Sequence, residues 1–534
     1  MNKRTFALLS LLPLMPLALQ ADCGSKACSK SEASCEEKTK SCKKYEESWE
    51  SVAKVNQTPD WFLDAKLGIY THWGPISEAM EGSDPSRHYR GWHGMFMYAD
   101  GKKVPTKNGQ PSNNYLHHVE KYGDPAEFGY THVIEQFDPS GFDAVEWAEL
   151  FEKSGAKFAG PVAMHHDNFA MWDSKATRWN SINYGGIDPS ADLKKEVEKR
   201  GMKFMASFHH AFTWKYFALA HKYGGVDPKD YDLYGNPRSM ESNTPDEDYY
   251  EHWWAVLKEY IDTYEPDLIW FDWWLEEFTE ESRLKFLAYY YNKGIEWDKD
   301  VAVSYKETTF PLSTGIKDYE RGRPNQPKSP AWLTDTSPGA WFYRESAKFK
   351  EPNDIIDILI DIVAKNGVML LNVPPDPDGK IPPVMVNMLE EMGAWLKING
   401  DAIYGTRPWD VFGEGPTRLP EGGHKVEKIK IAYGNKDIRY TKKSSKEFYA
   451  IVMDKPKGDI VMKTLSTDIG VLNSAILNIE LLGSDEEIKW TRDERGLVIK
   501  APKWIPSDYA HAYKISLEGY TENDIGGNVN AHTE

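Results

Sequence analysis

YYEHWWAVLKEYIDTYEPDLIWFD, Tyr249 to Asp272, decides the fold. Tyr249 to Tyr264 has the length and apolar spacing of a helix, and it feeds the short strand Leu268 to Asp272. The same order of helix, Gly or polar break and strand recurs along the chain. Asp143 to Ser154 presents Val145, Trp147, Ala148 and Phe151 on one side, Gly155 stops it, and the strand Phe158 to Ala163 follows. Ala191 to Arg200, Gly201 and Lys203 to Phe208 repeat the scheme. So do Leu284 to Tyr291 with Val301 to Ser304, and Asp354 to Lys365 with Gly367 and Val368 to Asn372. Alternation of this kind from about residue 60 to 400 predicts an α/β fold, a (β/α)8-like TIM barrel. An open sheet shares the period, but no Gly-rich phosphate loop follows an early strand.

Beyond Asn399-Gly400 the pattern changes to strands with turn signals: Lys428 to Tyr433, Glu447 to Asp454, Ile476 to Leu482, Leu497 to Lys500 and Ala512 to Leu517. A C-terminal antiparallel β-sandwich is expected, as a packing domain, with the basic run Lys442, Lys443, Lys446 in a solvated loop. Outward from these blocks the chain divides into 1–21, a signal peptide; 22–49, a Cys-containing tether; 50–405, the barrel; and 406–534, the sandwich. Lys3 and Arg4, the apolar Phe6 to Leu19 and the site Leu19-Gln20-Ala21 make up the signal, so the mature chain is expected to start at Asp22 in a secreted or periplasmic protein. Asp22 before Cys23 argues against a lipid anchor. Cys23, Cys28, Cys35 and Cys42 all fall in the tether, where three disulfide pairings are open.

With 534 residues, 40% hydrophobic, the chain can bury two cores. A net charge of -18 excludes a phosphate-binding face, so no nucleic acid is expected as a partner, and no apolar run beyond the signal suggests a membrane. The oligomeric state is not readable.

Catalytic groups of such barrels gather at the C-terminal ends of the strands. Those ends read Thr71-His72-Trp73, His165-His166-Asp167, His209-His210, Asp272 between Phe271 and Trp273, and Tyr305-Lys306-Glu307. With Trp73, Trp92, Trp270, Trp273 and Trp274 nearby, they describe a cleft for a hydroxylated ligand with one apolar face, the chemistry of sugar binding. His72, His165, His166 and His209 could also ligate zinc, but the tryptophans suit a sugar ring better. Asp376-Pro377-Asp378-Gly379 imitates a calcium loop without its third acid and reads as a turn. No metal or cofactor is expected. Asp272, flanked by aromatics, is a candidate nucleophile for glycoside hydrolysis; periodicity does not supply the second carboxyl.

Trp61-Phe62-Leu63-Asp64-Ala65-Lys66-Leu67-Gly68-Ile69-Tyr70-Thr71-His72-Trp73-Gly74-Pro75 resembles the opening strand of the family 29 glycoside hydrolases, the α-L-fucosidases. His165 to Ser174, Leu268 to Asp272, Leu370 to Gly379 and Trp395 to Pro408 continue the resemblance over roughly residues 50 to 410. It implies a retaining exo-α-L-fucosidase acting on a fucosylated glycan or oligosaccharide, with Asp272 as nucleophile and His72, Trp92, His165, His166 and Trp270 around the sugar. Asp318-Tyr319-Glu320-Arg321-Gly322 looks like the acid-bearing loop, which makes Glu320 the acid/base, with Glu307 and Glu345 as alternatives. Trp332 to Trp341 resembles the loop that follows, and Trp341 is expected to pack on the sugar. The chain departs from the family at Phe208-His209, where Tyr or Ser is usual, at Lys306, where Arg is usual, and at Trp273, where Gly is usual. These departures put His209 and Lys306 in the substrate-binding set and point to a modified pocket for a decorated fucoside such as a sulfated glycan. An α-L-galactosidase and a silent fucose-binding protein are the alternatives.

Overall fold

In the computed structural model, residues 45–79, 91–237, 244–344, 347–420 and 430–519 are described. The signal segment, the four cysteines and Glu345 lie outside them. Short strands without an exposed face can be accommodated only in a sheet covered on both sides. The molecule meets that requirement with eight parallel strands: β1 (Leu67–Thr71), β2 (Phe158–Met164), β3 (Lys203–Phe208), β4 (Leu268–Phe271), β5 (Ala302–Tyr305), β6 (Ile316–Lys317), β7 (Trp332–Thr336) and β8 (Gly367–Asn372). Their order is β6-β5-β4-β3-β2-β1-β8-β7. The two ends meet through a parallel bridge between Asp318 and Leu333 and the bonds from Tyr319 N to Leu333 O (3.0 Å) and Arg321 N to Asp335 O (2.9 Å).

Local chemistry sets the helix ends. Asp143 caps Ala144–Lys153 by accepting from the backbone of Val145 and Glu146, and Gly155 leaves that helix at φ +90°. Asp188 caps Pro189–Lys199, and Asp246 caps Glu247–Tyr264, the helix before β4. Inside the barrel, strand packing is close enough that a Cβ on Gly160 would stand 1.7 Å from the carbonyl oxygen of Met205.

Antiparallel strands follow the barrel: β9 (Arg407–Glu414), β10 (Ile438–Ser444), β11 (Glu447–Val452), β12 (Ile460–Met462), β13 (Ile476–Leu481), β14 (Trp490–Asp493), β15 (Gly496–Ile499) and β16 (His511–Leu517). They form a five-stranded sheet, β13-β16-β11-β10-β9, and a three-stranded one, β12-β15-β14. Trp409, Tyr440, Phe448, Leu497, Ile499 and Tyr513 belong to their common core. Several expectations need correction. Residues 430–433, the described part of the expected strand Lys428 to Tyr433, are not in a strand; β10 starts later and carries Lys442 and Lys443, leaving Lys446 in the hairpin turn. β9, β12 and β14 had no sequence signal of their own, and Trp332 to Thr336 is the strand β7 rather than a loop.

This second region is tied to the barrel by buried polar contacts. Trp395 Nε1 donates to Ala510 O (2.8 Å), Ala512 N to Asn399 Oδ1 (3.2 Å) and Thr441 Oγ1 to Ala402 O (2.7 Å). Arg439 Nε of β10 donates to Asp361 Oδ1 (2.7 Å), whose other oxygen accepts from Lys365 (2.8 Å). Among the described residues no helix is long and apolar enough to cross a membrane.

Burial opposes ionisation of Asp361, but Lys365, Arg439 and Arg323 outweigh it and hold its carboxyl well below the usual range. A depressed folded pKa stabilises the fold above the unfolded value of about 4 and loses that contribution as pH falls further. Asp361→Asn is therefore expected to cost about 3–5 kcal/mol in urea unfolding at pH 7, a gap that narrows below pH of about 4.

Candidate active site

Alternation along the strands aims the functional groups. Leu268 and Trp270 of β4 point into the barrel while Ile269 and Phe271 point to the helices, so Asp272 continues the inward row at the strand's C-terminal end. Tyr70 leads in the same way to His72, Met205 and Ser207 to His209, Ala302 and Ser304 to Lys306, and Leu333 to Asp335.

These groups surround one cavity of about 110 Å³. Nζ of Lys306 stands at its base, 3.0 Å from Asp272 Oδ1, 3.0 Å from Glu320 Oε2 and 3.2 Å from Asp335 Oδ2. His209 Nδ1 is 3.0 Å from Asp272 Oδ2 and its Nε2 is 2.9 Å from Ser207 Oγ. His166 reaches the same Oδ2 with Nε2 at 3.6 Å while its Nδ1 meets His209 O at 2.6 Å. His72 pairs through Nδ1 with Asn372 Oδ1 at 2.9 Å, and that Asn372 side chain donates to Trp341 O at 2.7 Å, so the end of β8 fixes both. His165 stacks on His209 with centroids 4.7 Å apart, and Trp92 stacks on Trp273 at 5.7 Å.

Half of the non-glycine residues at positive φ among those described lie at the rim. Asn168, Trp274, Glu307 and Arg321 lie at φ +61°, +78°, +51° and +45°. Each follows a cavity residue within two positions, and a bulky side chain held at positive φ is a feature of functional sites. The turn at Trp274 lets Trp273 face the cavity while Trp274 packs on Phe212 and Trp214.

The chain is similar to known proteins along most of its length. A family model described as alpha-L-fucosidase matches residues 32–401, and one for the alpha-L-fucosidase C-terminal domain matches residues 433–518. The chain belongs to the α-L-fucosidase family. An alpha-L-fucosidase of Branchiostoma floridae is 27% identical over 472 residues, covering 86% of this chain and 92% of its own. Tissue alpha-L-fucosidase of Rattus norvegicus is 27% identical over 480 residues, covering 87% and 90%. The crystal structure of Thermotoga maritima alpha-fucosidase in complex with fucose superposes with a TM-score of 0.67 at 25% identity, over 88% of this chain and all of that one.

In this α-L-fucosidase-family site, His72, Trp92, His165, His166, His209, Asp272, Lys306, Glu320 and Trp341 all line the cavity, as the sequence suggested. Trp270 does not. Its ring is fully buried beneath Lys306, 4.8 Å from the ammonium, with Nε1 donating to Asp318. Trp73 is also away from the cleft, bonded through Nε1 to Pro377 O (2.9 Å) in the 376–379 turn. Glu307 is exposed and outside the lining. Sequence reasoning missed Asp335 and Phe342 as lining residues, and missed Asp318 and Tyr70 behind them. Tyr70 Oη donates to Asp335 Oδ2 (3.1 Å), and Asp335 N to Asp318 Oδ1 (3.2 Å). The inward row through Leu333 was the available signal for Asp335. His72, His165 and His209 are close enough together to hold a metal ion, as are His166, His209 and Asp272, but both ring nitrogens of His209 are already engaged within the protein.

Burial pushes His72 and His165 well below the usual imidazole range and His166 down to about 4, so all three are neutral at pH 7; with Nδ1 of His72 donating to Asn372 Oδ1 and Nδ1 of His166 to His209 O, the Nε2 of each is an acceptor for a hydroxyl. Burial also opposes the charge on Asp272, yet Lys306 and then His209 outweigh it and keep the carboxylate ionised far into acid. Burial would likewise neutralise Lys306, but Asp272, Asp335 and Glu320 hold its pKa well above normal. Burial raises the carboxyls of Asp318 and Asp335, the charge of Asp335 adding to the effect at Asp318.

Lys306 is the strongest influence lowering the Asp272 pKa, so Lys306→Met is expected to raise it. The acid limb of kcat/KM on an aryl α-L-fucoside should move up by about one pH unit or more. An unmoved limb would show that another group sets it.

Proposed function

We propose that this chain is a retaining exo-α-L-fucosidase in which Asp272 is the nucleophile and Glu320 the acid/base. The carrying observation is that Asp272 Oδ1 and Glu320 Oε2 each lie 3.0 Å from the same Lys306 nitrogen, so these oxygens are at most twice that, about 6 Å, apart. Retaining glycosidases hold their two carboxyl groups about 5–5.5 Å apart, whereas inverting ones need about 6.5–9.5 Å to admit a water. In the first step a carboxylate oxygen of Asp272 bonds to the anomeric carbon, the glycosidic C–O bond breaks, and Glu320 gives its proton to the departing oxygen. In the second step Glu320 takes a proton from water, the water oxygen bonds to the anomeric carbon, and the ester to Asp272 breaks. Fucose leaves with its configuration retained.

The small cavity suits one terminal sugar rather than a chain, which supports exo action on a fucosylated oligosaccharide or glycan. Neutral His72, His165 and His166 fit its hydroxyls, and the Trp92–Trp273 stack with Phe342 offers an apolar wall to the C5 methyl. An α-L-galactoside would place a hydroxyl against such a wall, which favours the fucoside. For a sulfated glycan the receiving cation would have to be other than Lys306, whose charge is shared by three carboxylates. Arg321, with its guanidinium 4.2 Å over the ring of the cavity-lining Trp341, is a candidate. Export rests on the signal sequence.

Asp272→Ala is expected to abolish release of fucose from an aryl α-L-fucoside, a loss of about 10⁴-fold or more, while calorimetry still detects fucose binding. Glu320→Ala should retain activity on activated leaving groups and regain turnover with azide; wild-type activity of that variant on an unactivated fucoside would remove Glu320 from the role. Comparing kcat/KM on matched sulfated and unsulfated fucosides decides the decoration. N-terminal sequencing of exported protein is expected to begin at Asp22.

A further inference from the structure

Three cations of the contact between barrel and β-domain are almost completely buried: Arg323 is 3% exposed, Lys365 1% and Arg439 4%. All three converge on the carboxylate of Asp361, at 3.5 Å, 2.8 Å and 2.7 Å respectively. One carboxylate in direct contact with three cations leaves positive charge that the buried Asp437, acting on Arg439 from farther away, offsets only in part, and burying unbalanced charge is costly. The neighbouring Asp357 does not balance it, because burial raises that carboxyl to about 8. Lys365 and Arg439 are each partly compensated by the ring of Phe412, at 5.1 Å and 5.6 Å. Arg323 has no comparable cover: its Nε and Nη1 have no hydrogen-bond acceptor, and the side chain forms part of the wall of a cavity of about 550 Å³.

The remaining walls supply further polar groups that a guest could meet. Asp357 Oδ1 and Tyr433 Oη, also on the wall, have no hydrogen-bond partner. The wall also carries charge of both signs, Lys348, Lys350 and Lys430 against Glu351 and Asp354, with Lys430 paired to Asp354 at 3.5 Å. Phe349, Ile358 and Ile431 supply apolar surface for an organic body, and the volume exceeds that of a bare inorganic anion. The cavity is distinct from the active site, although one segment serves both: Pro338 and Gly339 line this one, Trp341 and Phe342 the other.

We infer that this cavity is a second binding site, for a small oxyanion such as the carboxylate or sulfate of an acidic sugar, held by the guanidinium of Arg323. The inference does not depend on the proposed catalytic roles. Titration calorimetry of the full mature chain would use sodium glucuronate and sodium sulfate at constant ionic strength, with glucose as the uncharged control. Saturable binding of glucuronate is expected, unaffected by saturating fucose, absent for glucose and weakened about tenfold or more in Arg323→Met. Because Arg323 contributes to the buried cluster, the exposed Lys348→Glu provides a second variant that leaves the core intact; it should also weaken binding. Binding of glucuronate alone would assign a sugar acid, and binding of sulfate as well would assign oxyanions generally; both support the site. No saturable binding of either anion, binding displaced by fucose, or binding unchanged in both variants would overturn it.

Discussion

The carboxylates of the candidate active site are gathered around the ammonium of Lys306. Asp272 follows β4, Glu320 lies between β6 and β7, and Asp335 belongs to β7 itself, and like charges at that separation would repel strongly in a buried site. One cation in their midst makes the gathering possible. It keeps Asp272 ionised without protonation, holds Glu320 within reach, and lets Asp335 remain in the wall despite complete burial. A lysine also differs from an arginine here: its point charge can meet three carboxylates from three directions, whereas a planar guanidinium is best matched to one or two in its plane.

The barrel supplies the positions and the loops supply the chemistry. Strand alternation fixes which residues continue the inward row, and the residues just beyond the strands turn sharply, several in left-handed conformations, to hold the rim. Asn372 links two parts of the site by accepting from His72 and donating to the carbonyl of Trp341, so the first strand and the loop after the seventh are held in common register.

Much of this was legible before the structure. Helix–break–strand units placed β2, β3, β4, β5 and β8 to within a residue or two, because capping residues and Gly stops mark their ends chemically. The strand-end histidines, Asp272 and Lys306 followed from those placements, and Glu320 from family resemblance. What escaped notice lacked a local signal. β6 is two residues long and exists only because the ring must close, and β7 carries Thr334, Asp335 and Thr336, a polar run that reads as loop until its neighbours bury it. Trp270 was misplaced because a tryptophan near a sugar site suggests stacking, whereas here its indole fills the barrel centre and bonds Asp318.

The contacts through which the β-domain touches the barrel have a consequence for how this protein could be dissected. Arg439, Ala510 and Ala512 complete hydrogen bonds for Asp361, Trp395 and Asn399, groups that the barrel buries but cannot satisfy by itself. A catalytic fragment cut after the last barrel helix would present those groups to solvent beside a large apolar face. The second region thus belongs to the folding unit of the enzyme, and a graft or fusion that preserves the active site has to carry it along.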